Sequence, residues 1–267
     1  MTHDPYFSIW SLSDKLTDEN TKHWTGTGQP LTGLVRIDGT TYRYMGARPR
    51  RGIPPMPQVA LSVTPTHTKY SFAEAGVQLV LTFFTPALPD DLDVLSRPVT
   101  YLSWNVTSTD GNTHDVSIYL DADPLIAVDT PDQQVTWSRA RVRSLTVLSG
   151  GSRDQRVLER SGDDLRIDWG YFHLAVPDRE QALLANSTEA MTSFVASGSL
   201  PGSDGLQMPQ APSRDSAAHL AVVFPISLQS AQAVSRHVLL AYTEEYAIEY
   251  LNRKLRPFWQ RKGQTSQ

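Results

Sequence analysis

Apolar and polar residues alternate with a period of two along much of the chain, and that alternation predicts strands. In TYLSWNVTST, Leu102, Trp104 and Val106 share one pleat face against Tyr101, Ser103, Asn105 and Thr107, the pattern of a half-buried strand. HDVSIYLDA repeats it with Val116, Ile118 and Leu120, and the intervening TDGNT carries the Asp110-Gly111 pair that favours a hairpin. Asp38-Gly39 separates GLVRI from TTYRYM in the same way, so two antiparallel hairpins are expected. GVQLVLTFFTP is apolar on both faces, with Val77, Leu79, Leu81 and Phe83 opposite Val80 and Phe84, as a strand between packed layers requires. Leu79, Leu81, Phe83, Trp104, Ile118 and Leu120 are therefore the expected core. HLAVVFPISL reads alike, with Pro225 placed at a sheet margin or bulge because it has no N–H to give a ladder.

The rhythm breaks in two places. Ser197 to Ser216, rich in Ser, Gly and Pro, predicts a long surface loop, while the Gly-rich SGGSRD from Ser149 to Asp154 predicts a turn. After Thr243, which can cap a helix, Glu244 and Glu245 fall where a helix N-terminus favours acid, and Ile248, Leu251, Leu255 and Phe258 recur at helical spacing, with Pro257 ending the regular helix near Arg256. The expectation is an all-β fold, a large antiparallel β-sandwich of the supersandwich kind spanning residues 1–242, followed by a short C-terminal helix and tail over 243–267.

Composition narrows what such a fold could do. With 267 residues and 40% hydrophobic content the chain can bury a sizeable core. A net charge of −4 and no extended Lys/Arg cluster argue against a nucleic-acid partner. The short basic run Arg48, Arg50 and Arg51 reads as a solvated, Pro-rich turn. The chain has no cysteine, which removes disulfides and thiolate chemistry, and no apolar run long enough to span a membrane, so no membrane partner is expected. The opening MTHDPYF lacks the regions of a signal peptide. The compartment stays open, a secreted or periplasmic parent being compatible with it. Sequons at Asn105 and Asn186 carry meaning only in a glycosylating host.

Chemistry is approached by elimination. No paired-histidine metal motif, Gly-Xaa-Ser-Xaa-Gly elbow or phosphate loop occurs, and no cofactor is expected. Asp121 with Asp123, and Asp90, Asp91 and Asp93, lack calcium-loop spacing and read as solvated turn carboxylates. What remains is a mixture of aromatic and polar residues. DPYFSIWSLSDKL and KHWTG bring Asp4, Tyr6, Trp10, Asp14, His23 and Trp24 forward as a substrate wall or interface, set on a semi-exposed face because full burial would strand several polar groups. In SGDDLRIDWGYFHLAV, Trp169 reads as a partly buried indole, and Asp163, Asp164 and Asp168 as hairpin or strand-edge residues.

The same phrases carry a resemblance. DPYFSIWSLSDKL, KHWTG, GLVRIDGTTYRYMG, LSRPVTYLSWNVTSTDGNTHDVSIYLDAD, TPDQQVTWSRA, SGDDLRIDWGY and EEYAIEYLNRKLRPFW resemble, in order, the N-terminal region of the glutaminase A family. That resemblance implies a parent amide hydrolase that releases glutamate and ammonia from glutamine, with a β-sandwich preceding an (α/α) toroid like that of several glycoside hydrolases. It implies a fragment of a longer protein, with the helical domain as its partner and a small polar substrate as a second. The catalytic groups are expected in the helical part, so none is assigned here. The opening cluster is read as an interface first and a substrate wall second. An independent carbohydrate-binding module and a purely structural packing domain are the competing readings.

Overall fold

A computed structural model describes residues 1–47, 52–205, 207–213, 217–230 and 232–263. Arg48, Arg50 and Arg51 lie outside the described residues. In chain order the strands are β1 (Thr2–Asp4), β2 (Phe7–Ser8), β3 (Leu31–Ile37), β4 (Thr40–Met45), β5 (Gln58–Val63), β6 (His67–Glu74), β7 (Val77–Phe84), β8 (Val99–Ser108) and β9 (His114–Ala122). They continue with β10 (Val135–Val142), β11 (Leu145–Ser152), β12 (Tyr171–Pro177), β13 (Gln181–Asn186), β14 (Ala218–Leu228), β15 (Ala233–Thr243), β16 (Ile248–Tyr250) and β17 (Arg253–Leu255). Two α-helices interrupt them, α1 (Leu92–Leu95) and α2 (Ser187–Ser197).

Two antiparallel sheets form the sandwich: eight strands in the order β10-β11-β12-β15-β8-β7-β6-β5, and five in the order β13-β14-β9-β3-β4. Their facing sides share one core, in which Trp104 of the larger sheet packs 5.4 Å from Phe224 of the smaller. The other side of the smaller sheet is covered by α2, whose Phe194 lies 5.2 Å from Tyr119. Asn186 starts that helix by accepting the Glu189 N–H, and Gly198 ends it at φ 74°, where a glycine avoids the left-handed penalty. Gly33 has a different reason: a Cβ there would stand 2.2 Å from the buried Tyr44 ring, whose hydroxyl donates to Tyr119 O.

The expected all-β sandwich is what forms, and Leu79, Leu81, Trp104, Ile118 and Leu120 are all fully buried. The Asp38-Gly39 hairpin joins β3 to β4, with both turn residues at positive φ. Pro225 sits past the last residue of β14 paired with β13, at a sheet margin.

Several local expectations are corrected. Asp110-Gly111 does not close a hairpin, because β8 belongs to the larger sheet and β9 to the smaller. The five-residue turn is an arch over the core, clamped by His114 between Asp38 (2.6 Å) and Asp110 (3.0 Å). Both strands still bury one face, so alternation cannot distinguish hairpin from arch. Phe83 is only partly buried, since β7 runs past the covered region at its end. Gly150 and Gly151 lie within β11, where a Cβ on Gly151 would meet Gly170 O at 2.5 Å; the glycines allow close approach rather than a turn. The run expected to be helical after Thr243 is a hairpin, β16 to β17, and helical geometry is confined to one 3-10 turn at Phe258–Gln260. Leu251 and Asn252, at φ 48° and 59°, make its two-residue turn.

Candidate functional site

The opening segment turns at Asp4 before it packs on the sandwich. Its carboxylate accepts the N–H groups of Tyr6 (2.7 Å) and Phe7 (2.8 Å), the short-range turn that aspartate makes readily. That turn drives Phe7 into the core, stacked 4.4 Å from Tyr242, and lays Tyr6 5.5 Å from Trp169. Tyr6 O accepts the Ile167 N–H, Tyr242 donates its hydroxyl to Trp169 O, and the Trp169 indole donates to Tyr246 O. Glu244, at the end of β15, is buried beside this knot with Oε2 lacking a hydrogen-bond partner. Desolvation, reinforced by Asp4, pushes its carboxyl up to about 8. Burial raises Asp4 as well, against the pull of its two backbone N–H donors.

His23 and Trp24 meet at the Pro5 carbonyl, which accepts from His23 Nε2 (3.2 Å) and Trp24 Nε1 (2.6 Å). A carbonyl cannot donate, so Nε2 carries the proton and Nδ1 accepts from Thr25, both hydroxyl (3.0 Å) and N–H (3.3 Å). Desolvation first, and the Arg166 charge second, hold this imidazole below its ordinary pKa. Arg166 is itself buried: its guanidinium donates to Thr27 Oγ1 (3.1 Å), Asp164 Oδ1 (2.6 Å) and Asp129 O (3.0 Å), and pairs with Asp129 Oδ1 at 2.9 Å. Asp129 also binds Arg160, and Asp168 accepts from Gln133 at 2.7 Å.

Of the six residues singled out from the sequence, Asp4, Tyr6, His23 and Trp24 converge on the Pro5 turn. Trp10 is exposed, and its backbone bridges to Lys22. Asp14 lies elsewhere, its carbonyl accepting from Gln58 of β5. Trp24 is exposed while His23 is buried, so the cluster presents an indole outward and keeps its imidazole inside. Glu244, Arg166 and Asp129 were missed as members. Arg166 had a nearby signal in SGDDLRIDWGY, where the chain passes from exposed polar residues into the buried run from Arg166 to Gly170; Asp129 and Glu244 lie in other segments that carried none.

Apart from the unpartnered Glu244 Oε2, the groups around His23 and Arg166 are satisfied rather than poised. Both His23 nitrogens are engaged, the Arg166 charge is matched by carboxylates, and no group of three or more metal-ligating side chains assembles among the described residues. Asp121, expected to be solvated, is fully buried and accepts the Tyr119 hydroxyl at 2.6 Å, facing His219 at 3.1 Å. A broad groove of about 500 Å³ lies elsewhere, lined by Arg139, Asp178, Glu180, Gln181 and Leu200 and by no residue of the cluster.

A family described as a domain of unknown function, DUF5127, matches residues 66–267, and a second, DUF4964, matches residues 1–50. A glutaminase A from Aspergillus oryzae is 24% identical over 210 residues, covering 75% of this chain and 30% of that protein. Among solved structures, a protein described as a kojibiose phosphorylase, from the human microbiome, has a TM-score of 0.41 at 6% identity, over 90% of this chain and 26% of that one. Heparan sulfate lyase HepC from Pedobacter heparinus has a TM-score of 0.36 at 7% identity, over 72% and 22%. The chain thus spans less than a third of each of these proteins.

Proposed function

The chain belongs to the DUF5127 family and corresponds to an N-terminal β-sandwich region of the glutaminase A family; from that premise we propose that it is the non-catalytic sandwich domain of a glutamine-hydrolysing parent. In this reading it packs against a helical domain of that parent and lends it the aromatic edge around Trp24. The observation that carries the reading is the β16–β17 hairpin. Tyr250 and Leu251 are 64% and 78% exposed, and Ile248, Leu255 and Phe258 are exposed beside them, although the hairpin is held to the sandwich through Trp169–Tyr246 and Lys254–Val157 hydrogen bonds. Five large apolar side chains on one anchored excursion favour a protein partner over water.

The test compares this chain with the full-length parent in an ammonia-release assay on glutamine. Turnover is expected only in the longer protein. Tyr250→Lys with Leu251→Lys in that protein should lower its unfolding temperature while leaving the isolated chain unchanged, and Trp24→Ala should raise KM more than it lowers kcat. Robust turnover by the isolated chain would overturn the non-catalytic assignment. A full-length protein indifferent to the paired lysines would overturn the interface.

A further inference from the structure

The larger sheet ends at β5, and among the described residues the centre of that edge carries no charge and no covering segment. From Gly52 to Thr68 the chain has no Asp, Glu, Lys or Arg. Val59, Leu61 and Val63 are 58%, 36% and 68% exposed. Natural sheet edges are protected by charge, proline, bulges or a covering segment, and here the prolines and the bulge stand toward the ends of the strand and leave its centre open. The opposite edge, β10, has both charge and cover: Arg139 and Arg141 along it, and Gln210 bridging Val135.

The backbone of β5 is also presented outward in a definite register. Thr64 N–H bonds His67 O at the turn into β6, and in an antiparallel ladder bonded residues alternate. Leu61 and Val63 therefore direct their N–H and C=O groups away from β6, toward solvent. The residues themselves form a palindrome of character: Pro57-Gln58-Val59-Ala60-Leu61-Ser62-Val63-Thr64-Pro65 reads proline, polar, valine, small, leucine, small, valine, polar, proline.

We infer that β5 is a self-association edge, on which a second copy of this chain pairs antiparallel about a twofold axis through Leu61. In that register Val63 faces the partner's Val59 and Leu61 its own counterpart, so apolar meets apolar on one face, while the small Ser62 meets the partner's Ala60 on the other. Isologous pairing of this kind closes on itself, and the bulge at Val59 with prolines at both ends confines it to the central residues. The sequence pattern matches a copy of itself better than it matches a charged or irregular partner.

The absence of cysteine gives a direct test. A bonded antiparallel pair has its Cα atoms about 5.5 Å apart, within disulfide reach. Under mild oxidation Leu61→Cys should form a covalent dimer readily, whereas Val63→Cys alone should not, since its partner position is Val59. Light scattering over a dilution series should show the unmodified chain at twice 29.7 kDa when concentrated, and Leu61→Lys as a folded monomer at every concentration. Leu251→Lys, on the hairpin, should leave the dimer intact, which separates this edge from the interface proposed above. A chain monomeric throughout, a dimer surviving Leu61→Lys but lost with Leu251→Lys, or equal cross-linking by the two cysteine variants would overturn the inference.

Discussion

Glu244 should make this chain less stable as pH rises, and replacing it should remove that loss. In the folded chain burial beside Asp4 pushes the carboxyl from its ordinary 4.5 to about 8. Folding thus retains a proton that the unfolded chain releases. Stability falls with pH wherever the native state binds more protons, by about 1.4 kcal/mol per pH unit for one group. The contribution is fully present below pH 4.5 and is lost progressively as pH climbs to about 8, roughly 5 kcal/mol in all. Glu244→Gln keeps the shape and the neutral hydrogen-bonding groups but cannot ionise. Urea unfolding of both proteins at a series of pH values isolates the effect, because every other titrating group is common to the two. The curves should coincide near pH 4.5 and diverge by several kcal/mol in favour of the glutamine by pH 8. Parallel curves across that range would show that Glu244 is hydrated or paired, and the buried-carboxyl account would fail.

His173 should act in the opposite sense. Burial pushes its imidazole down to about 4, held neutral between Ser149 Oγ and Thr243 Oγ1, so the stability it contributes is complete above pH 6.5 and lost as pH falls toward 4. His173→Gln should flatten that acid limb by about 3 kcal/mol, measured by the same urea series. In the core, Trp104→Ala should cost about 3 to 5 kcal/mol. Phe83→Ala should cost about half as much because its ring is only partly covered, and equal losses in denaturant titrations would contradict the burial pattern.

The sheets were legible because period-two alternation reports which side of a strand is buried, and Leu102, Trp104, Val116, Ile118 and Leu120 all ended inside. Which sheet a strand joins was not. A strand facing the core from above carries the same alternation as one facing it from below, so β8 and β9 read as a hairpin when the turn between them crosses the sandwich. The 248–258 segment failed for a related reason. Ile248, Leu251, Leu255 and Phe258 satisfy helical spacing, but Asn252 accepts positive φ readily and turns the chain back after Leu251. With only three residues in each strand, there was no alternation to outvote the helical count. Helix α2 escaped because its sequence, STEAMTSFVAS, buries only Ala190 and Phe194 and shows little apolar periodicity, leaving the Asn186 and Gly198 caps as its clearest marks.

The opening cluster was legible in composition and not in geometry, and the difference is electrostatic. Aromatic and polar residues in one run announce an unusual environment, but the partners that define it come from distant segments. His23 owes its shift first to burial and then to Arg166, Asp4 sits against Glu244, and each pairing spans well over a hundred residues. Local pattern therefore finds the half of a site that is continuous in sequence and misses the half supplied by the fold. Here the missing half changes the chemistry. Asp129 and Asp164 neutralise Arg166, and Pro5 with Thr25 consumes both nitrogens of His23. Residues that looked available as acid, base or ligand contact are spent on fastening the opening segment to the sandwich, and what they leave outward is the Trp24 indole. An indole held outward on a segment so fastened is the part of the cluster left free to meet another domain, which is why Trp24 rather than His23 is the residue whose replacement should register in the full-length protein.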